Sequence, residues 1–478
     1  MKRARLSMVF LQFLCIAMLI PGLAWSQENA KKLVGSWAGP IKIQGIEIRL
    51  VMNVSFNEAD SLIVTFDSPD QGAKGIPTSK VAFREDSVFV SSKKIAGKFS
   101  GKTNGDFTSI SGSWRQGGMS FPLTLIKQEK PVTVNRPQEP TPPFPYRSEE
   151  VVFRNNLGGF DLAGTLTLPE KKGRYPVVIL VSGSGPQNRD EEFLQHKPFL
   201  LLADYLTRQG MAMLRYDDRG IGKSGGVFKT ATTLDFATDA EAALDFLKKQ
   251  PEIDTTRIGL LGHSEGGIIA PIVASRHPEV AFIILMAGPG LTGDQIVTMQ
   301  AVLISRAEGM DEQTIRFNEK LNRDIFSAVK KNLDNAKAEK KIRALFATAD
   351  KKYRSDTSYH KLTEAELAGQ IANITSPWFR CFLTLNPEVY LSQVKCPVLA
   401  ISGSLDLQVP PRENLQAIEK ALIFGGNSRY TIEELPGLNH LFQTAKTGSP
   451  SEYSKIEETI SPASLEVIGK WIRMTIDE

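Results

Sequence analysis

Arg257-Ile258-Gly259-Leu260-Leu261-Gly262-His263-Ser264-Glu265-Gly266-Gly267 is the stretch that decides the fold. Residues 258–261 form a short apolar run of β type, and residues 267–276 follow a helical pattern. Between them Gly262-His263-Ser264-Glu265-Gly266 fits G-x-S-x-G, the sharp strand–turn–helix that lifts a serine hydroxyl clear of a sheet. The turn is tight enough that a Cβ at the flanking positions would strike the neighbouring strand or helix. The pattern alone is not enough, because Gly222-Lys223-Ser224-Gly225-Gly226 fits it as well. Ser224, however, lies in a glycine-rich loop some distance before the next helix, whereas Ser264 has both a strand and a helix attached to it.

Outward from Ser264 the chain alternates. Apolar β-type runs are expected at residues 177–181, 212–216, 258–261, 281–287, 398–401 and 430–435, with helical patterns between several of them, as at 199–208 and 234–249. Continuous apolar strands alternating with helices predict a mostly parallel sheet covered on both faces. The alternation stops over about 292–391, a helical and heavily charged stretch that reads as an insertion between two strands. Two G-x-G-x-x-G matches, Gly220/Gly222/Gly225 and Gly288/Gly290/Gly293, lack the acidic residue ending a strand about 20 residues on, and read as strand-end loops. Gly222-Lys223-Ser224 resembles the tail of a P-loop, but Asp217 stands where the first glycine belongs.

A serine hydroxyl attacks only when a base takes its proton, and that base is most often histidine. Of the five histidines, His440 in Gly437-Leu438-Asn439-His440 follows the last apolar run and can fold back over the sheet. His263 belongs to the turn itself and is expected to point away from the Ser264 hydroxyl, while His196, His277 and His360 read as surface or supporting residues. Asp406, after the run at 398–401, is the candidate to orient His440, with Asp294 in reserve. The oxyanion donors are expected to be the N–H of Glu265 and one from Ser182-Gly183-Ser184-Gly185-Pro186, with Ser184 preferred. No metal-ligand spacing appears, so neither metal nor cofactor is expected.

Together these pieces resemble the α/β-hydrolase family, in particular its bacterial carboxylesterase and serine-aminopeptidase-like branch. The matching segments are 182–186, Tyr216-Asp217-Asp218-Arg219-Gly220-Ile221-Gly222-Lys223-Ser224, 262–267, 401–406 and 437–440, in family order from about Pro176 onward. Ser264, Asp406 and His440 follow one another in the order that fold expects. The resemblance implies that the insertion is a cap over the site and that the Arg219–Gly220 loop is structural support. The family's dehalogenase and epoxide-hydrolase branches carry Asp at the turn, and Ser264 argues against both. The expected activity is that of a serine carboxylesterase working on a small-molecule ester through an acyl-enzyme, with a loss of rate below about pH 6.5 as a histidine base protonates. A peptidase using the same triad, or a ligand-binding protein with a vestigial hydrolase, are the alternatives.

The remainder of the chain reads differently. Residues 1–26 are expected to be a signal peptide: Lys2, Arg3 and Arg5 precede an apolar stretch at 6–20, then Pro21-Gly22 and the small residues Ala24-Trp25-Ser26. Export to the periplasm or beyond, with no stable membrane insertion afterwards, is the expectation. Residues 27–130 hold short β-type runs parted by turns such as Asn104-Gly105-Asp106, which predicts a small antiparallel barrel or sandwich, and Gly35-Ser36-Trp37 resembles the Gly-x-Trp opening of lipocalin-like barrels. Five prolines between residues 137 and 145 mark 131–147 as an extended linker, and 148–478 is left for the α/β domain. A length of 478 residues suits two domains. A net charge of +4 in mixed residues argues against nucleic acid. Removal of residues 1–26 takes Cys15 with it and leaves Cys381 and Cys396, read as two buried thiols.

Overall fold

The computed structural model describes residues 31–43, 46–57, 61–130, 132–171, 173–352 and 361–477. The expected signal peptide, with Cys15, and His360 lie outside the described residues. The chain forms two compact units. One takes in Leu50–Asp67 and Lys74–Val132 with the chain up to Gly39, and the other Pro40–Arg49, Ser68–Ala73 and Thr133–Glu478.

The N-terminal strands are β1 (Gly35–Ile43), β2 (Ile46–Phe56), β3 (Leu62–Ser68), β4 (Ala73–Pro77), β5 (Lys80–Arg84), β6 (Ser87–Ser92), β7 (Gly97–Thr103), β8 (Ser109–Gln116) and β9 (Met119–Gln128). They form one nine-stranded sheet in the order β4-β3-β2-β1-β9-β8-β7-β6-β5. This is an antiparallel meander whose first and last strands pair, a half-barrel rather than the two sheets of a sandwich. Side chains alternate between faces, so Trp37, Met52, Phe66, Phe99, Trp114 and Leu125 are buried together. Trp37 of the Gly-x-Trp opening is fully buried and donates its indole N–H to the Leu33 carbonyl at 2.7 Å.

In the second unit β10 (Tyr146–Asn155), β11 (Phe160–Pro169), β12 (Tyr175–Val181), β13 (Ala212–Tyr216), β14 (Ile253–His263), β15 (Phe282–Met286), β16 (Val398–Gly403) and β17 (Tyr430–Leu435) build an eight-stranded sheet. Its order is β10-β11-β13-β12-β14-β15-β16-β17, parallel from β13 to β17. The β10–β11 hairpin joins antiparallel at one edge. Helices α1 (Pro198–Thr207), α2 (Thr233–Leu247), α3 (Gly266–Arg276), α4 (Gly293–Ala307), α5 (Glu312–Lys331), α6 (Asn335–Lys352), α7 (Glu364–Ile374), α8 (Pro377–Thr384), α9 (Glu388–Leu391), α10 (Pro411–Phe424) and α11 (Pro462–Asp477) complete it.

Strand β12 shows why the sheet is covered twice. Val177, Ile179 and Val181 pack with residues of α2, α3 and α10, while Val178 and Leu180 pack with α1 and α11. Each buried aliphatic side chain contributes about 1.5–3 kcal/mol. Helices α4–α9 fill the expected insertion, and α5–α8 share a small core around Phe326, Ile342, Ile371 and Phe379. Strand β14 begins five residues before the apolar run that predicts it, because Asp254–Arg257 are polar and solvent-facing. The proline-rich stretch is bonded along the second unit. Gln138 Oε1 accepts from the Thr459 N–H at 2.6 Å, and Gln138 Nε2 donates to the Ile460 carbonyl at 2.8 Å. Cys381 and Cys396 are unpaired and only partly buried.

Candidate active site

In the sheet order β13-β12-β14 the connections leave β12 in opposite directions, and ligands of open α/β sheets bind beyond the strand ends at such a point. Val181 pairs with Gly262, so the loop after β12 lies beside the turn after β14. That turn carries Ser264 at φ +52, a left-handed conformation that costs a non-glycine residue about 1–3 kcal/mol. The Ser264 N–H is fixed by the Met286 carbonyl at 2.8 Å. A Cβ at Gly262 would collide with the Gly266 backbone, and one at Gly266 with the Val181 carbonyl, so the turn closes only with glycine on both sides.

The structure brings Ser264, His440 and Asp406 together. His440 Nε2 lies 3.1 Å from Ser264 Oγ, and His440 Nδ1 lies 2.8 Å from Asp406 Oδ2. Asp406 follows β16, and its other oxygen accepts the N–H groups of Gln408 and Val409, both at 2.8 Å. His440 stands in the loop after β17, where Asn439 Oδ1 accepts from the Leu441 and Gln443 N–H groups at 3.0 Å. The remaining candidates are employed elsewhere. Asp294 pairs with Lys330, and Ser224 Oγ bridges the Asp217 carbonyl and the Ala163 N–H. His196 is buried against Thr459 Oγ1 at 3.0 Å, and His277 faces Glu241 and Glu279.

Ser184 and Glu265 line the same cavity as Ser264, and among the described residues no hydrogen bond from either backbone N–H is found. A Cβ built on Gly183 would lie 3.2 Å from that of Ser264, which shows how closely the loop abuts the hydroxyl. The loop is anchored by Ser182 Oγ donating to Asp218 Oδ1 at 2.8 Å and by Gln187 N–H donating to Asp218 Oδ2 at 2.9 Å. Burial pushes the Asp218 carboxyl up to about 8 against these bonds. Neighbouring Arg219 pairs with Asp239 at 2.7 Å, so the Asp217–Gly220 loop holds structure rather than a nucleotide.

Three side chains at the site escape sequence reasoning. The Glu265 carboxyl is buried and accepts from Thr233 Oγ1 at 2.6 Å and Trp378 Nε1 at 2.8 Å. Burial raises its pKa despite those bonds. Trp378 comes from the insertion, where Ser376 caps α8 by accepting from the Phe379 N–H and Pro377 presets the first turn. Glu191 Oε1 accepts from the Gly183 N–H at 2.6 Å and contacts His263 Nδ1 at 2.9 Å. His263 and Glu265 stand in the G-x-S-x-G turn, while Glu191 and Trp378 are joined to the site by tertiary contacts that no spacing announces.

The cavity over Ser264 holds about 430 Å³. Ile296, Val297 and Ile304 of α4 and Trp378, Phe379 and Phe382 of α8 form much of its wall, so the insertion roofs the hydroxyl.

A mostly parallel sheet with this strand order, a serine on a strained turn and a helical roof defines the second unit as an α/β-hydrolase. A family model for the serine aminopeptidases of family S33 matches residues 197–443, more than half of the chain, and the chain belongs to that family. That family includes both esterases and peptidases. The chain is similar to esterase EstD of Thermotoga maritima, 31% identical over 168 residues, covering 34% of this chain and 39% of EstD. It is also similar to esterase FrsA of Serratia proteamaculans (31% over 147 residues, 30% of this chain, 33% of FrsA) and to dipeptidyl-peptidase 5 of Porphyromonas gingivalis (28% over 147 residues, 29% and 21%). The chain thus spans well under half the length of each of these three. Among solved structures, an esterase of Pyrococcus furiosus aligns at a TM-score of 0.42 and 16% identity, over 72% of this chain and 97% of that one.

Proposed function

We propose that the chain is a carboxylesterase for neutral esters with an apolar acyl group. Ser264 Oγ attacks the ester carbonyl as His440 Nε2 takes its proton, and Asp406 holds the resulting imidazolium. The N–H groups of Glu265 and Ser184 receive the oxyanion. Collapse of the intermediate breaks the C–O bond to the alcohol, which leaves with the proton from His440. Water, deprotonated by His440, then attacks the acyl-enzyme and releases the acid.

One observation carries the choice of ester over amino-terminal peptide. An aminopeptidase must neutralise the substrate's ammonium, and the two carboxylates on the cavity wall are both engaged. Glu191 is tied to Gly183 and His263, and Glu265 to Thr233 and Trp378. The rest of the wall is mainly apolar, which suits an acyl chain or aryl ring.

The test sets a panel of acyl nitrophenyl esters beside aminoacyl nitroanilides, with Ser264→Ala as control. Esters are expected to turn over and nitroanilides not, with all turnover lost in the variant. Faster cleavage of the nitroanilides would replace this reading with a peptidase. Failure of a fluorophosphonate to label the protein would remove Ser264 as nucleophile.

A further inference from the structure

His263, directly before the nucleophile, is buried with an acceptor at each ring nitrogen. Nδ1 lies 2.9 Å from Glu191 Oε1, and Nε2 lies 3.0 Å from the backbone carbonyl oxygen of His440. A neutral imidazole carries one N–H, and a carbonyl oxygen can only accept. Glu191 Oε1 already accepts the Gly183 N–H at 2.6 Å, as a carboxylate oxygen does. Both ring contacts are therefore hydrogen bonds when both nitrogens carry protons.

Resting on the triad reading above, we propose that His263 is a permanently protonated positioning residue, an imidazolium locked by Glu191 that holds the backbone of the base His440 against the nucleophile turn. The pair joins three strand ends at one point: Gly183 after β12, His263 at the end of β14, and His440 after β17. The oxyanion loop and the base are thereby registered to each other through one carboxylate. Glu191 is presented at φ +49, a conformation a non-glycine residue adopts only when its surroundings impose it. The charged and titratable groups facing the ring are Glu191, the His440 ring at 5.0 Å between centroids, and Asp406 behind it. Phe442 covers the ring edge at 6.5 Å. Burial alone would drive the proton off, but Glu191, the His440 carbonyl and Asp406 outweigh it and raise the pKa above the ordinary 6.5.

Ring-nitrogen NMR on the full chain with ¹⁵N-labelled histidine tests the protonation state without using activity. His263 is assigned by its absence from His263→Gln or, if that variant does not fold, by elimination through single substitutions of the other four. Both nitrogens are expected to stay protonated to at least pH 8, and a singly protonated ring at pH 7 would overturn the proposal. Glu191→Gln keeps an acceptor for Gly183 but removes the charge, so His263 should lose its proton near neutrality. Fluorophosphonate labelling of Ser264 in that variant is expected to fall about ten-fold at pH 8 and to change little at pH 6. An equal loss at both pH values would mean a merely structural role and would also overturn it. If the unaltered chain does not label at all, the esterase reading fails, while the NMR result still decides where the proton sits.

Discussion

At the scale of single residues, Asp406 is a carboxylate whose acceptors are all assigned. Two backbone N–H groups point at one oxygen and His440 Nδ1 at the other. In Asp406→Asn the amide oxygen must serve those N–H groups, which turns its NH₂ toward His440. The ring is then driven to carry its proton on Nε2, facing Ser264, where it cannot act as base. The expected loss in kcat is about 10⁴-fold with little change in melting temperature, measured by ester turnover and calorimetry. The residues around this centre were legible in the sequence to different degrees. Ser264, Asp406 and His440 each follow an apolar run closely, so reading the runs as parallel strands puts all three at one rim of the sheet. Glu191 has no such marker. It sits in a loop between β12 and α1, and only the folded chain brings it to His263.

At the scale of elements, β12, β15 and the second half of β14 were readable because burial on both faces leaves almost unbroken apolar runs. The β10–β11 hairpin was not, because its outer strand is largely exposed and polar, as at Arg147–Glu150, and only Tyr146 and Phe153 among its apolar residues are buried. Short β4 hides behind Gly75 at φ +61 and Pro77, both of which read as turn. Helix α8 carries its own test. Trp378 stacks on Phe382 at 5.3 Å and donates to Glu265. Trp378→Phe keeps an aromatic face but leaves the buried carboxyl one donor short. We expect a loss of about 1–3 kcal/mol, read from the urea midpoint, whereas an unchanged midpoint would show that the bond contributes nothing.

For the molecule as a whole, acid should be destabilising in a window set partly by His196. The ring is 2% exposed, and burial, with Arg136 adding to it, pushes its pKa down from 6.5 to about 4. Between those values the unfolded chain holds a proton that the folded chain does not. The contribution of His196 is therefore intact above about pH 6.5, declines by about 1.4 kcal/mol per pH unit below it, and reaches its floor near pH 4. His196→Gln, which can still bond Thr459, should lose less stability than the parent when the midpoint is compared at pH 7.5 and pH 5.

The carboxyl of Glu265 gathers donors from the start of α2 and from the roof. Chimeras between relatives meet this arrangement first. A roof grafted from a relative, however well its apolar side chains fit, strands an acid beside Ser264 unless it brings a donor to the place of Trp378. Exchanging these segments to redirect specificity therefore calls for matching that one contact before matching the shape of the cavity.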